Sequence, residues 1–364
     1  MKRQGHLMEQ IVERNNLEEA FCLAARSKRD RQEVWAFMRD FQSEMERLRE
    51  GLLAVDYPVG AFRRFMIRDP KLREINAAPF RERVLHQAIM LVCGPILERS
   101  LVFDTYACRK GKGQWAAIRR AERFSDKSEY FLKFDIRKYF DSIHHETLKA
   151  QLGRQFKDPV LLAWFDRILC TYQTKPGRGL PIGSLISQHL ANVYLSPLDH
   201  WLQGSGQVQS IVRYMDDVVV WGHDSGDLKR LESEVRSFLI EWLQLTFKES
   251  PYINRTRHGM DFLGCRVFPG YSVLNRRSRY RFRKKVRHLH MRSAVGSLSE
   301  LELQQGLQAL TAFTQQTRSW HFRKRMLDDL GNEPEWHEPG EPWRQLEQQR
   351  QELPVGEPQQ EQAR

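Results

Sequence analysis

The chain has 364 residues, with 58 Lys and Arg against 46 Asp and Glu and a formal net charge of +12 at pH 7, which favours a polyanionic partner although basicity alone also serves solubility. This length accommodates one large core plus a smaller helical unit. No apolar stretch reaches the roughly 20 residues that span a bilayer, the start Met1-Lys2-Arg3-Gln4-Gly5 lacks a signal-peptide core, and Cys22, Cys93, Cys108, Cys170 and Cys265 make no zinc-ligand pair, so the expectation is a soluble cytoplasmic protein with reduced thiols.

From about Met8 to Leu53, Leu17, Phe21 and Ala24, then Trp35, Met38, Phe41, Met45 and Leu48, recur at helical spacing. They predict an N-terminal helical extension over residues 1–54, packed on the domain after it. Tyr57-Pro58-Val59-Gly60 reads as a turn, Phe62 to Ile67 as a strand and Asp69-Pro70 as a hairpin tip. An amphipathic helix is expected over Arg81 to Ile96. Tyr130-Phe131-Leu132-Lys133-Phe134-Asp135-Ile136 is a β-rich apolar run carrying an acid near its end. Helices are expected over Leu148 to Tyr172, Leu185 to Leu202 and Ser225 to Leu243, and His144 and His145 read as a solvated helix start rather than metal ligands. A last helical region runs from about Ser278 to Leu330. Between Arg276 and Arg292 stand nine Arg or Lys residues and no acid, interleaved with Tyr280 and Phe282, a pattern that suits a surface tracking a phosphate backbone. Residues 332–364, rich in Pro, Gly, Glu and Gln, read as a disordered tail.

The strongest chemical signal is Tyr214-Met215-Asp216-Asp217, set between Ile211-Val212-Arg213 and Val218-Val219-Val220-Trp221. Two apolar runs meeting at adjacent acids predict a tight hairpin that lifts both carboxylates into a cleft. Such a pair repels itself unless a cation sits there, and hard oxygen ligands suit Mg²⁺, which shares its shell with water and substrate phosphates. A solvated Asp-Asp turn has the same local sequence, so the surroundings decide. Asp135, on another strand, is the natural partner. Two divalent ions about 3.5–4 Å apart on Asp135 and Asp216 would activate a hydroxyl and stabilise departing pyrophosphate, with Asp217 completing the charge balance.

Six blocks in order then carry a resemblance. They are Lys71-Leu72-Arg73 with Arg81-Glu82-Arg83-Val84-Leu85-His86-Gln87; Tyr106-Ala107-Cys108-Arg109-Lys110-Gly111-Lys112-Gly113; Lys133 to Phe140; Gly179-Leu180-Pro181-Ile182-Gly183-Ser184-Leu185-Ile186-Ser187-Gln188; Arg213 to Asp217; and Phe262-Leu263-Gly264. Over roughly residues 55 to 325 the chain resembles reverse transcriptases, and among them those of diversity-generating retroelements, relatives of the group II intron and retron enzymes. The subfamily rests on one block, where most reverse transcriptases carry Gln-Gly-x-x-x-Ser-Pro and this chain has Ile182-Gly183 and Ser187-Gln188. The resemblance implies an α+β right-hand polymerase fold, with fingers and palm over 55–270 and a helical thumb over 275–331. It implies RNA-directed DNA synthesis with two Mg²⁺ ions, for which Mn²⁺ can substitute, at Asp135, Ile136, Asp216 and Asp217. The implied partners are a template RNA and its RNA/cDNA duplex, deoxynucleotides and a small basic ring-forming accessory protein. The implied outcome is error-prone copying at template adenines for mutagenic retrohoming. A retron-like or group II intron-like enzyme of ordinary fidelity, and a noncatalytic RNA-binding protein, are the alternatives.

The same matching assigns residues. Lys71 and Arg73 correspond to finger cations that embrace the triphosphate, although solvated charges also belong at a hairpin tip. Phe140 corresponds to the bulky side chain beneath the sugar, where a ring would clash with a 2′-hydroxyl; a core position is the alternative. Ile182, with Gly183 and Gln188, lies over the incoming nucleotide, and an alkyl group there supplies shape without hydrogen-bond discrimination. Lys248 corresponds to the cation at the leaving pyrophosphate and Arg83 to a phosphate or template contact. Tyr214, Met215 and the primer-gripping turn Phe262-Leu263-Gly264 are assigned to nucleic acid, Gly264 permitting close backbone approach. So are Arg276, Arg277, Arg279, Arg281, Arg283, Lys284, Lys285 and Arg287, while Arg213 is expected to support the hairpin.

Overall fold

The computed structural model describes residues 2–68 and 72–331; Asp69-Pro70, Lys71 and the segment 332–364 lie outside the described residues. The described residues form two compact units, one running up to Tyr280 with Gln316–Arg318, the other Arg281–Gln315 with Ser319 to Gly331.

The first unit opens with α1 (Leu7–Ile11), α2 (Arg14–Ala25), α3 (Gln32–Arg39) and α4 (Phe41–Ala54). Leu17, Ala24, Met45 and Leu48 are buried as their spacing requires, but Trp35 is 59% and Met38 47% exposed. The chain bends at Asp40, between α3 and α4, so no single helical phase runs from Trp35 to Leu48, and α3 buries Val34 and Phe37 instead. Phe37 joins Phe21, Phe41 and Phe80 in an aromatic cluster, with ring centroids 5.1 Å apart for Phe21–Phe41 and 5.4 Å for Phe37–Phe80.

Strands β1 (Arg63–Arg68) and β2 (Leu72–Ala77) form an exposed antiparallel pair with Arg63 opposite Ala77. The next helix, α5 (Phe80–Arg99), is buried on nearly every side rather than amphipathic. Its outer face is covered by α1 and α2, and α10 packs on it as well, which is why apolar residues surround its axis. Next come α6 (Gln114–Lys127), β3 (Tyr130–Asp135), α7 (Tyr139–Ser142), α8 (His145–Gln155) and α9 (Pro159–Cys170). The helix expected from Leu148 to Tyr172 is thus two, because Asp158 accepts from the Leu161 N–H at 3.3 Å and Pro159 starts α9 without needing a donor. His145 is buried, its ring nitrogen 2.8 Å from the Gly179 carbonyl, so the solvated reading fails for it.

Helix α10 (Leu185–Gly204), the hairpin β4 (Ser210–Tyr214) and β5 (Asp217–Gly222), α11 (Ser225–Leu243) and β6 (Tyr252–Arg255) complete the centre. The sheet is antiparallel in the order β4-β5-β3-β6. Strand alternation feeds two cores: Leu132, Phe134, Val218 and Val220 face the large helical one, while Phe131, Val219 and Trp221 face α6. A second sheet of β7 (Met260–Phe262), β8 (Cys265–Phe268) and β9 (Tyr271–Leu274) also packs on α6. Helix α12 (Arg276–Ala294) carries the basic run, with α13 (Glu300–Gln315) and α14 (Trp320–Gly331) after it. In the second unit Phe282 and Val286, one helical turn apart, are buried with Met326 against Leu307, Leu310 and Phe322. Arg276, Arg277, Arg279, Arg283, Lys284, Lys285 and Arg287 are exposed or half-buried along α12, and so is Arg281. Among the described residues no helix is long and apolar enough to cross a membrane.

Candidate active site

The register of the central sheet brings the acids together. Asp135, last residue of β3, lies opposite Asp217, first residue of β5, and Tyr214 pairs with Asp217 across the hairpin, leaving Met215 and Asp216 as its two-residue turn. Met215 has φ 59°, a conformation that two-residue hairpins usually give to glycine. A methionine held there stores strain of about 1–3 kcal/mol. The restraint is Arg213, fully buried, whose Nη1 donates to the Met215 carbonyl at 3.0 Å. Its Nε donates to both oxygens of buried Asp199 on α10, at 2.9 and 2.8 Å, and further N–H groups reach the side-chain and backbone oxygens of Asn192 at 3.1 and 3.0 Å. The hairpin tip is thereby bolted to α10.

Three carboxylates meet two ammonium groups. Lys248 pairs with Asp135 through its side chain, and its backbone N–H donates to the Asp135 carbonyl at 2.9 Å. Lys133 pairs with Asp217 at 3.0 Å and also donates to the Asp261 carbonyl at 2.8 Å. Burial pushes the Asp217 carboxyl up, against the pull of Lys133. Asp216, without an ion pair among the described residues, is pushed up to about 7 by burial and by the neighbouring Asp135 charge.

No three His, Cys, Asp or Glu side chains among the described residues close into a ready metal cage. The donors nevertheless fit a hard divalent cation that completes its shell with water and phosphate: they are carboxylate oxygens, crowded enough that one retains its proton near neutrality. The Ile136 side chain is buried, and its bridge to Phe247 uses the Asp135 carbonyl and the Arg137 N–H, so only its backbone oxygen can contribute.

Around this centre, Phe140 is half-buried, 5.9 Å from the Tyr139 ring, and its carbonyl accepts from the Leu180 N–H at 2.8 Å. The strand β2 meets the segment before α10, the Asn76 N–H donating to the Ile182 carbonyl at 2.8 Å. Gly183, at φ 108°, lies so close that an added Cβ would come within 2.8 Å of the Ile75 side chain. Gln188, in the first turn of α10, accepts from the Cys108 thiol at 3.3 Å. Arg73 is exposed on β2. Arg83 is held by Glu33 of α3 at 2.6 Å and lies over the Phe80 ring. Leu263 and Gly264, with φ 48° and 82°, make a two-residue turn between β7 and β8, and Gln114 donates to the Leu263 carbonyl at 2.7 Å. The Phe262 ring is buried, with Lys133 Nζ 5.6 Å from its centroid.

Lys133, Asp199 and Asn192 stand outside the residues the sequence assigns to the site. Lys133 did leave a signal, because a lysine two residues before Asp135 on a strand shares its face.

Residues 68–267 match the family model described as reverse transcriptase (RNA-dependent DNA polymerase). Protein YkfC of Escherichia coli is 26% identical over 172 residues, 44% of this chain and 45% of that protein. The putative COX1/OXI3 intron 1 protein of Saccharomyces cerevisiae is 26% identical over 150 residues, 38% of this chain and 18% of that one. The group II intron-encoded protein LtrA of Lactococcus lactis is 24% identical over 138 residues, 36% of this chain and 23% of that protein. The chain therefore spans less than half the length of these relatives. A solved apo telomerase from Candida tropicalis is similar at 11% identity and a TM-score of 0.45, covering 73% of this chain and 61% of that one. The family model takes in more than half of the 364 residues and brackets β3, the acidic hairpin and the turn after β7, so the chain belongs to the reverse transcriptase (RNA-dependent DNA polymerase) family.

Proposed function

We propose that the chain is an RNA-directed DNA polymerase whose Asp135, Asp216 and Asp217 hold two divalent cations, Mg²⁺ or in its place Mn²⁺, with the Ile136 carbonyl beside them. The observation that carries this reading is that β3 and the β4–β5 hairpin make three carboxylates neighbours, with only two ammonium groups paired to them. When bound, the cations activate the primer 3′-hydroxyl and stabilise the leaving pyrophosphate. Lys248, paired with Asp135, would be released by that charge to face the pyrophosphate, while Lys133 keeps Asp217 tied to the Asp261 carbonyl and so to the turn at Leu263-Gly264. With the Phe262 ring buried, the primer contact at this turn falls to the backbone. Lys71 and Arg73 serve the triphosphate, Arg83 a phosphate or the template, and the cations of α12 track an RNA/cDNA duplex as part of a thumb over 275–331, with fingers and palm over 55–270.

Phe140 is assigned to the sugar. Phe140→Ala is expected to raise ribonucleotide incorporation by about 10–100-fold, the range one steric contact can discriminate, measured by competition between ribo- and deoxynucleotides. Unchanged sugar selectivity would return Phe140 to the core.

The finer reading is that of an error-prone enzyme of a diversity-generating retroelement, working with a template RNA and a small basic ring-forming accessory protein. It rests on Ile182, an alkyl group at a position where most of the family carries an amide able to test its partner by hydrogen bonds. Intron-encoded relatives favour a second reading, a group II intron-like polymerase of ordinary fidelity. Sequencing the cDNA made on a defined RNA with Mg²⁺ and four deoxynucleotides separates the two: mistakes concentrated at template adenines support the first, accurate copying the second. Ile182→Gln is expected to lower errors opposite adenine several-fold, and an unchanged error spectrum would remove the pocket argument.

A further inference from the structure

Helices α10 and α11 carry a surface that none of the polymerase roles uses. Phe238 and Trp242, one turn apart on α11, stack on each other with ring centroids 6.2 Å apart and planes 25° apart, and Phe238 stacks on Trp201 of α10 at 5.2 Å and 30°. The result is a ladder of three nearly parallel rings along a shallow groove of about 380 Å³. Trp242 is 67% exposed. Stacking of this kind aligns ring faces, and an exposed aromatic face attracts a cation through its quadrupole.

The charges bordering the ladder are both negative. Glu234 and Glu241 line the groove with Ser233 and Ser237, and no Lys or Arg is among its described lining residues, in a chain with a net charge of +12. Gln207 donates to Glu234 at 3.1 Å without neutralising it. Acids at this position repel phosphate, which argues against a nucleic-acid strand even though bases also stack on rings. They suit a planar cation that lies flat on an indole and turns its N–H fork to a carboxylate, which an arginine does better than a lysine.

We infer that the Trp201–Phe238–Trp242 face is a docking surface for an arginine-bearing, partly apolar segment of a basic protein partner, with Glu234 and Glu241 as its charge complement. The inference needs the acid-flanked ladder and not the error-prone reading of the polymerase.

The test uses the nucleic-acid-free full chain and a fluorescent amphipathic peptide of leucine and arginine, read by anisotropy, beside its lysine counterpart and a labelled single-stranded RNA. The peptide meets a protein of like net charge, so binding requires a local acidic site. Trp242→Ala and the Glu234→Gln/Glu241→Gln pair are each expected to weaken the arginine peptide at least tenfold, to leave RNA affinity unchanged and to preserve the melting temperature; the lysine peptide should bind several-fold more weakly. Equal peptide affinity in both variants overturns the proposal. Loss of RNA affinity in Trp242→Ala would make this a nucleic-acid face, and a shift from dimer to monomer in sedimentation would show that a second copy covers it; either result also overturns it.

Discussion

Asp216→Asn is expected to lower cDNA synthesis by at least about 10²–10³-fold, the scale on which single charge-stabilising groups act, and at the same time to stabilise the cation-free protein above neutral pH. The second effect comes from the proton. Asp216 is pushed up to about 7 in the folded chain from an ordinary value of 3.8. Between those limits the unfolded chain loses the proton while the folded chain keeps it, so stability falls as pH rises through that window and the full penalty is present above about 7. At about 1.4 kcal/mol per pH unit the penalty is on the order of a few kcal/mol. Asparagine carries no such charge. A melting series should therefore show parent and variant converging near pH 4 and the variant ahead at pH 8. Added Mg²⁺ should raise the melting temperature of the parent at pH 8 and leave the variant nearly unmoved. RNA affinity should stay within a few-fold, since the proposed phosphate contacts lie elsewhere. An active variant, or an equal response of both proteins to Mg²⁺, would defeat the metal assignment.

That pair of acids is legible in the sequence because its information is local: β-branched runs on both sides fix a hairpin, and adjacency fixes the acids at its tip. The same holds for α11, whose span the sequence predicts from Ser225 to Leu243, with Asp224 accepting from the Gly226 and Asp227 N–H groups. The features that are not legible depend on contacts far apart in sequence. Helix α5 reads as one-sided because the residues that cover its outer face belong to α1 and α2, more than fifty positions earlier. Trp35 and Met38 keep helical spacing with Phe41 yet face solvent, since the bend at Asp40 resets the phase. The ion pair of Arg83 with Glu33 of α3, fifty positions earlier, leaves no local mark in the sequence either. Asp199 gives no signal at all in a helix, because only the fold reveals that Arg213, fourteen residues later, is buried against it.

Asp199→Ala is expected to destabilise the chain by about 3–5 kcal/mol, because it leaves the Arg213 guanidinium buried and unpaired. A fall of that size does not show what the pair is for. A double variant separates the two roles: Asp199→Leu with Arg213→Met replaces both charges by apolar groups of similar bulk, which commonly restores stability. It cannot restore the donor to the Met215 carbonyl, which Arg213 Nη1 now supplies at 3.0 Å. With that donor gone, only the Tyr214–Asp217 pairing of the β4–β5 ladder closes the turn, and Met215 can relax from positive φ and carry Asp216 away from Asp135. The double variant should then melt near the parent while cDNA synthesis stays at least tenfold down, with a weaker thermal response to Mg²⁺. Full activity in a stable double variant would mean that β4–β5 pairing alone sets the turn and that the buried ion pair serves only the fold.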